Sequence, residues 1–246
     1  MATDLSAVRP VDVLAIGAHR DDIELLCGGT LARCADQGYA TGIVDLTAGE
    51  LGTRGTAEVR EAEAEAAAKV LNVSVRLNAG FPDAGIFNTQ ETRERLVGLI
   101  RSLTPGVVIL PYLRGRHPDH RITAELGRDA CFLSGLAKFG DGEPPHRPHK
   151  ILYALAYREH AVKPTFVVDI TDQFDRKRRA IACYESQFDG AETAGEAFPT
   201  GQPLLDLIEA KARHYGTLIR KGFGEPFYTE ETMEAGDIAE LPVRSL

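Results

Sequence analysis

Two short clusters hold the side chains best suited to chemistry. The first is Ala18-His19-Arg20-Asp21-Asp22-Ile23-Glu24, and the second, far downstream, is Arg116-His117-Pro118-Asp119-His120. In each, a histidine precedes an aspartate or a second histidine by three residues. Imidazole nitrogens and a carboxylate bind zinc well, and three such ligands leave a coordination position open. His19, Asp22 and His120 could supply that set. Two adjacent acids also permit a division of labour, with Asp22 on a metal and Asp21 free to move a proton. Either cluster alone would be ordinary. His19 to Asp22 would pass for a polar surface turn, and His117 to His120 for a helix start with Asp119 as its N-cap.

Their placement changes that reading. Val11 to Ile16 is a short apolar run, which predicts a buried strand. Helix signals follow over Ile23–Gln37, closed by Gly38, and a second strand over Ala40–Leu46. Ala57–Leu71 is the strongest helix, rich in alanine and glutamate. A strand over Val73–Leu77, a helix over Glu91–Leu103 ended by Pro105, a strand over Val107–Leu110 and a helix over Arg121–Phe139 come next. Such alternation predicts an α/β fold, with a largely parallel sheet and helices on both faces. Ligands in these folds bind outside the carboxyl ends of the strands. Both clusters fall there, and so do the loops Thr47–Thr56 and Ala79–Asn88. Farther on, strands are expected over Ile151–Ala156 and Phe166–Ile170 as an antiparallel extension, helices over Asp172–Tyr184 and Gln202–Ile219, and a long loop over Phe188–Gly201. No linker or repeat divides the chain, so residues 1–246 read as one domain.

Composition narrows the function classes. The 246 residues are 43% hydrophobic and 26% charged, ordinary values for a globular protein. A net charge of −8 argues against a general nucleic-acid binder. No apolar run suits a membrane span, and the N-terminus lacks the pattern of a secretory signal. The four cysteines, Cys27, Cys34, Cys131 and Cys183, are scattered and read as reduced thiols of a cytoplasmic protein. A nucleotide-binding role is disfavoured, because Gly17 to Asp22 lacks G-x-G-x-x-G and two carboxylates would repel a pyrophosphate.

The paired motifs A-H-R-D-D-I-E and H-P-D-H resemble those of the LmbE-like, or PIG-L, zinc-dependent de-N-acetylases. The stretches G-I-V-D-L-T-A-G-E-L-G-T-R-G-T, R-L-N-A-G-F-P-D-A-G-I-F-N and Y-E-S-Q-F look like the bacillithiol-pathway branch, the N-acetylglucosaminyl-malate deacetylases. The likeness runs from Val11 to Phe227. It implies a Rossmann-like three-layer sandwich with a smaller C-terminal extension, in a homo-oligomer such as a trimer or hexamer. It also implies zinc as cofactor, although Fe²⁺ would accept similar ligands. Arg20 departs from the family, which has proline there.

By the same resemblance His19, Asp22 and His120 are metal ligands and Asp21 is the general base. His117 stabilises the oxyanion as an imidazolium, oriented by Asp119. Arg60 lies by the substrate pocket. Arg54 and Arg116, with Arg20 and Lys163, would add cations to the rim for an anionic aglycone such as malate. The expected function is removal of the N-acetyl group from an N-acetylglucosaminyl small molecule, most of all N-acetylglucosaminyl-L-malate. The alternatives are the same chemistry on an inositol glycoside, a thiol S-conjugate amide or a chito-oligosaccharide, and a non-catalytic sugar-binding paralogue. His146 and His149 have metal-like spacing but sit in a proline-rich stretch and read as surface histidines.

Overall fold

A computed structural model describes residues 9–140, 142–155, 162–188 and 203–243. The element order is β1 (Val13–Gly17), α1 (Asp22–Asp36), β2 (Thr41–Thr47), α2 (Ala57–Leu71), β3 (Val75–Phe81), α3 (Gln90–Leu103), β4 (Val107–Pro111) and α4 (Pro118–Leu133). Then come β5 (Lys150–Ala154), β6 (Phe166–Asp169), α5 (Phe174–Ala182), α6 (Glu185–Phe188), α7 (Leu204–Leu218) and β7 (Gly224–Tyr228). The long loop expected after Phe188 lies outside the described residues. No helix among the described residues is long and apolar enough to cross a membrane.

The strands form one sheet in the order β3-β2-β1-β4-β5-β7-β6. The first five in that order are parallel. Because β1 and β4 are neighbours and the chain reverses its winding between them, their ends flank the crevice where such sheets bind ligands. β5 was expected as the start of an antiparallel extension, yet it pairs parallel with β4. The antiparallel part consists of β7, which pairs with both β5 and β6.

The core follows from alternation along buried strands. Leu14 and Ile16 of β1 face one way, joining Leu96 and Ile100 of α3 and Leu126 and Ala130 of α4. Val13 and Ala15 face the other way, joining Ile23, Leu26 and Leu31 of α1. Helices α2 and α5 complete that second layer through Ala64, Ala67, Leu71 and Ala180. All four cysteines are free thiols, with Cys27 and Cys131 buried.

Two buried ionic knots hold the frame beneath the strand ends. Arg76 on β3 forks onto Asp45 of β2, with Nε to Oδ2 at 2.7 Å and Nη2 to Oδ1 at 2.9 Å. Its Nη1 reaches Glu24 Oε1 at 2.6 Å, and its Nη2 donates to the Arg20 carbonyl at 3.2 Å. Tyr184 closes the knot by donating to Glu24 Oε1 at 3.1 Å. The second knot repairs a break in α1. Cys27 has φ −143° and ψ 21°, which interrupts the helix. Glu225 of β7 accepts from the Gly29 and Thr30 amides at 2.9 and 2.6 Å, and Lys177 pairs with it. Glycine suits this close contact, since a Cβ on Gly29 would stand 2.8 Å from the tip of the Ile170 side chain and 3.1 Å from Glu225 Oε1.

Burial pushes the carboxyls of Glu24 and Asp45 up, and Arg76 opposes this in both. Replacing Arg76 by methionine leaves two buried acids without their cation. The expected loss is about 3–5 kcal/mol near neutral pH. Both acids must then stay protonated in the folded chain while they ionise in the unfolded one. The variant's stability should fall as pH rises above the normal carboxylate range and recover in part on acidification. Urea unfolding across pH checks this, and a loss that does not vary with pH would contradict it.

Candidate active site

Loops from the carboxyl ends of β1, β2, β3 and β4 converge on one rim. The first cluster spans the β1–α1 connection. His19 N donates to Asp22 Oδ2 at 2.8 Å, so the turn folds the aspartate back under the histidine. The second cluster opens α4, with Pro118 in the first turn and His117, not Asp119, as N-cap. His117 Nδ1 accepts from the Asp119 amide at 3.2 Å. The cluster is thus a capped helix start and part of the site at once.

The expected ligand residues meet through Asp22. Its Oδ1 lies 3.0 Å from His120 Nε2 and its Oδ2 lies 3.4 Å from His19 Nδ1. Ligands about 2.1 Å from a tetrahedral metal stand roughly 3–3.5 Å apart, so these separations suit one small divalent ion. Among the described residues, two other groups bring ligand atoms within 4.8 Å of one another: His19 with His117 and His120, and His19 with Asp83 and Asp119. His19 belongs to every set.

Electrostatics favour a cation here. Burial opposes charge on His19, but Asp22, Asp83 and Asp21 outweigh it and push the imidazole up to about 11. The two neighbouring aspartates diverge. Asp22 is held well below the usual carboxylate range, because His120 and His19 outweigh the effect of burial. Asp21 is pushed up by burial and by the charge of Asp22, against Arg60, His19 and His120.

The arginines are placed unevenly. Arg60 is buried, with Nη1 on the Gly49 carbonyl at 2.8 Å and Nη2 on Asp21 Oδ1 at 3.4 Å, so its charge is directed at Asp21. Arg20, expected at the rim, is buried instead. It donates to the Ala57 carbonyl at 2.5 Å and pairs with Glu61 at 3.3 Å, pinning the start of α2. The cation that replaces the family's proline therefore turns away from the opening. Arg116 and Lys163 are exposed, and Arg54 is half-buried. Gln187 of the Y-E-S-Q-F stretch donates to the Arg54 carbonyl at 2.7 Å, and Ser186 Oγ to Glu63 at 2.7 Å. That stretch clasps the β2–α2 loop to α2.

His117 differs from the expected imidazolium. Burial, with the positive charges of His19 and His120, holds its pKa below the usual value, and Asp119 only partly offsets this. The Asp119 carboxylate turns elsewhere, to the Ala84 amide at 2.9 Å and to His19 Nε2 at 3.5 Å. Asp83 was not singled out by sequence reasoning. It lies 3.3 Å from His19 Nε2, and the hydrogen bond from His19 pulls its pKa down to about 2. The available signal was its position, just past a parallel strand in Phe81-Pro82-Asp83. His146 is spent on the Pro105 carbonyl at 2.8 Å.

Comparison with known proteins agrees with this geometry. Residues 14–131 match the family model described as PIG-L, GlcNAc-PI de-N-acetylase. The chain is 34% identical to the diacetylchitobiose deacetylase of Thermococcus kodakarensis, over 87% of this chain and 80% of that protein. It is 28% identical to the 4-oxalmesaconate hydratase of Pseudomonas putida, over 71% and 73%. Among solved structures, the conserved protein TT1542 from Thermus thermophilus superposes with a TM-score of 0.82 at 35% identity, covering 92% of this chain and 98% of that one. The chain belongs to the PIG-L/LmbE-like deacetylase family and is an N-deacetylase-type hydrolase.

A metal must displace the proton that His19 holds in the metal-free chain. Zinc affinity should therefore rise with pH, about tenfold per unit for each proton released. Calorimetry in buffers of different ionisation heat counts that proton. An affinity independent of pH between about 6 and 8 would contradict the site.

Proposed function

We propose that the chain removes the N-acetyl group from N-acetylglucosaminyl-L-malate, with His19, Asp22 and His120 holding zinc and Asp21 as general base. The observation that carries the reading is the divergence of Asp21 and Asp22. Neighbouring acids whose environments push their pKa values apart have separate roles. The acid kept ionised suits a metal ligand, and the one pushed up suits proton transfer. Zinc at such a site supplies Lewis acidity that lowers the pKa of water and polarises a carbonyl.

The chain's own groups provide the rest. Asp21 is positioned by Arg60 to take a proton from the attacking water and to pass it to the departing amine. His117 stands beside His19 and His120, with ring centroids 4.8 and 5.1 Å away. Its Nδ1 is occupied by the Asp119 amide, so the neutral ring carries its proton on Nε2. That N–H is free to donate to the carbonyl oxygen as charge develops there. A neutral donor replaces the imidazolium expected from the sequence.

For the aglycone, the malate reading rests on the branch-like stretches and on Arg54 and Arg116 at the rim. The similarity to a diacetylchitobiose deacetylase favours a second reading, a chito-oligosaccharide. We place the reaction in the cytoplasm, in a homo-oligomer.

Acetate release should be measured from the malate glycoside, diacetylchitobiose and an inositol glycoside in parallel. The malate compound should give the highest kcat/KM. Arg54→Met and Arg116→Met should raise KM for it and leave diacetylchitobiose unaffected. A preference for diacetylchitobiose would overturn the aglycone and leave deacetylation standing. Hydration of an unsaturated acid without acetate release would overturn both. Asp21→Asn should bind zinc normally and lose about 10²–10⁴-fold in kcat. Full turnover in that variant would remove Asp21 as the base.

A further inference from the structure

The two nitrogens of His19 face different surroundings. Nδ1 points to Asp22 at 3.4 Å, on the side shared with His120. Nε2 points away from that side, to Asp83 Oδ1 at 3.3 Å and Asp119 Oδ2 at 3.5 Å. The Asp119 oxygen already accepts from the Ala84 amide at 2.9 Å. Asp83 is the nearer acceptor, and the two oxygens of its carboxylate divide their work. Oδ1 faces His19, and Oδ2 accepts from the Leu51 amide at 2.9 Å.

The backbone around Asp83 is fixed on both sides. Its own amide donates to Glu50 Oε1 at 2.8 Å. The next residue, Ala84, has a φ of 54°, a left-handed conformation that a non-glycine residue adopts only where its surroundings hold it. Asp119 holds that amide in place. The β2–α2 loop, the loop after β3 and the start of α4 thus converge on the placement of one carboxylate.

A histidine binds metal through one nitrogen only when the proton sits on the other, and a carboxylate on the far nitrogen fixes that arrangement. We infer that Asp83 is a positioning residue for the metal site. It holds the proton of His19 on Nε2 and so presents the Nδ1 lone pair toward the side shared with Asp22 and His120. This rests on the metal-dependent reading above. It also gives the β2–α2 loop a route to the site, since Leu51 and His19 share the same carboxylate.

The test is zinc affinity by competition with a chromophoric chelator, on purified full-length protein. Asp83→Ala should weaken zinc by about 10–100-fold. Asp83→Asn should also weaken it, because an amide cannot accept from both His19 and Leu51. Glu50→Ala removes the neighbouring loop contact but leaves His19 its partner, so its affinity should match the unmutated chain. Long-range ¹H–¹⁵N spectra of the zinc-loaded, unmutated chain give a second readout that needs no variant. His19 should show a metallated Nδ1 and a protonated Nε2.

Unchanged affinity in both Asp83 variants would overturn the inference. An equal loss in Glu50→Ala would reduce Asp83 to loop packing and overturn it as well. Metallation of His19 at Nε2 would do the same, even if the Asp83 variants failed to fold. Failure of the unmutated chain to bind zinc would overturn the metal-dependent reading itself, which separates the two failures.

Discussion

Everything at the rim depends on holding four carboxylates close to one histidine. Asp21, Asp22, Asp83 and Asp119 gather around His19 in a largely desolvated place. Like charges at such distances cannot all ionise unless cations answer them. The chain supplies Arg60 against Asp21 and the His19 and His120 rings against Asp22. What remains is a set of oxygen and nitrogen donors whose charge is best balanced by a divalent metal. The raised His19 and the depressed Asp22 are two sides of that imbalance.

Such a cluster survives only on a stiff frame. The parallel strands bring four loops to one edge, but the knots beneath them set the loop angles. Arg76 joins β2, β3, α1 and the carbonyl of Arg20 in the His19–Asp22 turn. Glu225 caps the restart of α1 past its break at Cys27, and Lys177, which pairs with Glu225, also donates to the Leu25 carbonyl on the near side of that break. Arg20 belongs to the same frame. In the structure it binds the α2 start, which gives this turn a tether where proline would have given it a fixed φ.

The sequence made the frame legible wherever local pattern and tertiary role agreed. Ala57–Leu71 shows this best, because its alanine-rich composition and its buried face point to the same helix. The convergence of His19, Asp22 and His120 was legible because short-range spacing places both clusters at strand ends. β7 was hidden by Gly224-Glu225-Pro226, which reads as a turn although its strand lies between β5 and β6. β5 was read as antiparallel because strand pairing is a long-range property that no local pattern encodes. Asp83 was missed for a similar reason. A lone acid after a proline has no partner in sequence, and its meaning comes from a histidine on another loop. The buried ends of Arg20 and Arg60 were likewise invisible, since an arginine near a loop looks the same whether it faces solvent or a carboxylate.

The most direct measurement is a crystal structure of the zinc-loaded protein, with anomalous differences collected at the zinc edge. A metal held by the three converging side chains should give one peak about 2.0–2.2 Å from His19 Nδ1, an Asp22 oxygen and His120 Nε2. Asp21 should remain off the metal and in contact with Arg60. A peak seated instead between His19 Nε2, Asp83 and Asp119, or no ordered zinc at all, would contradict this reading.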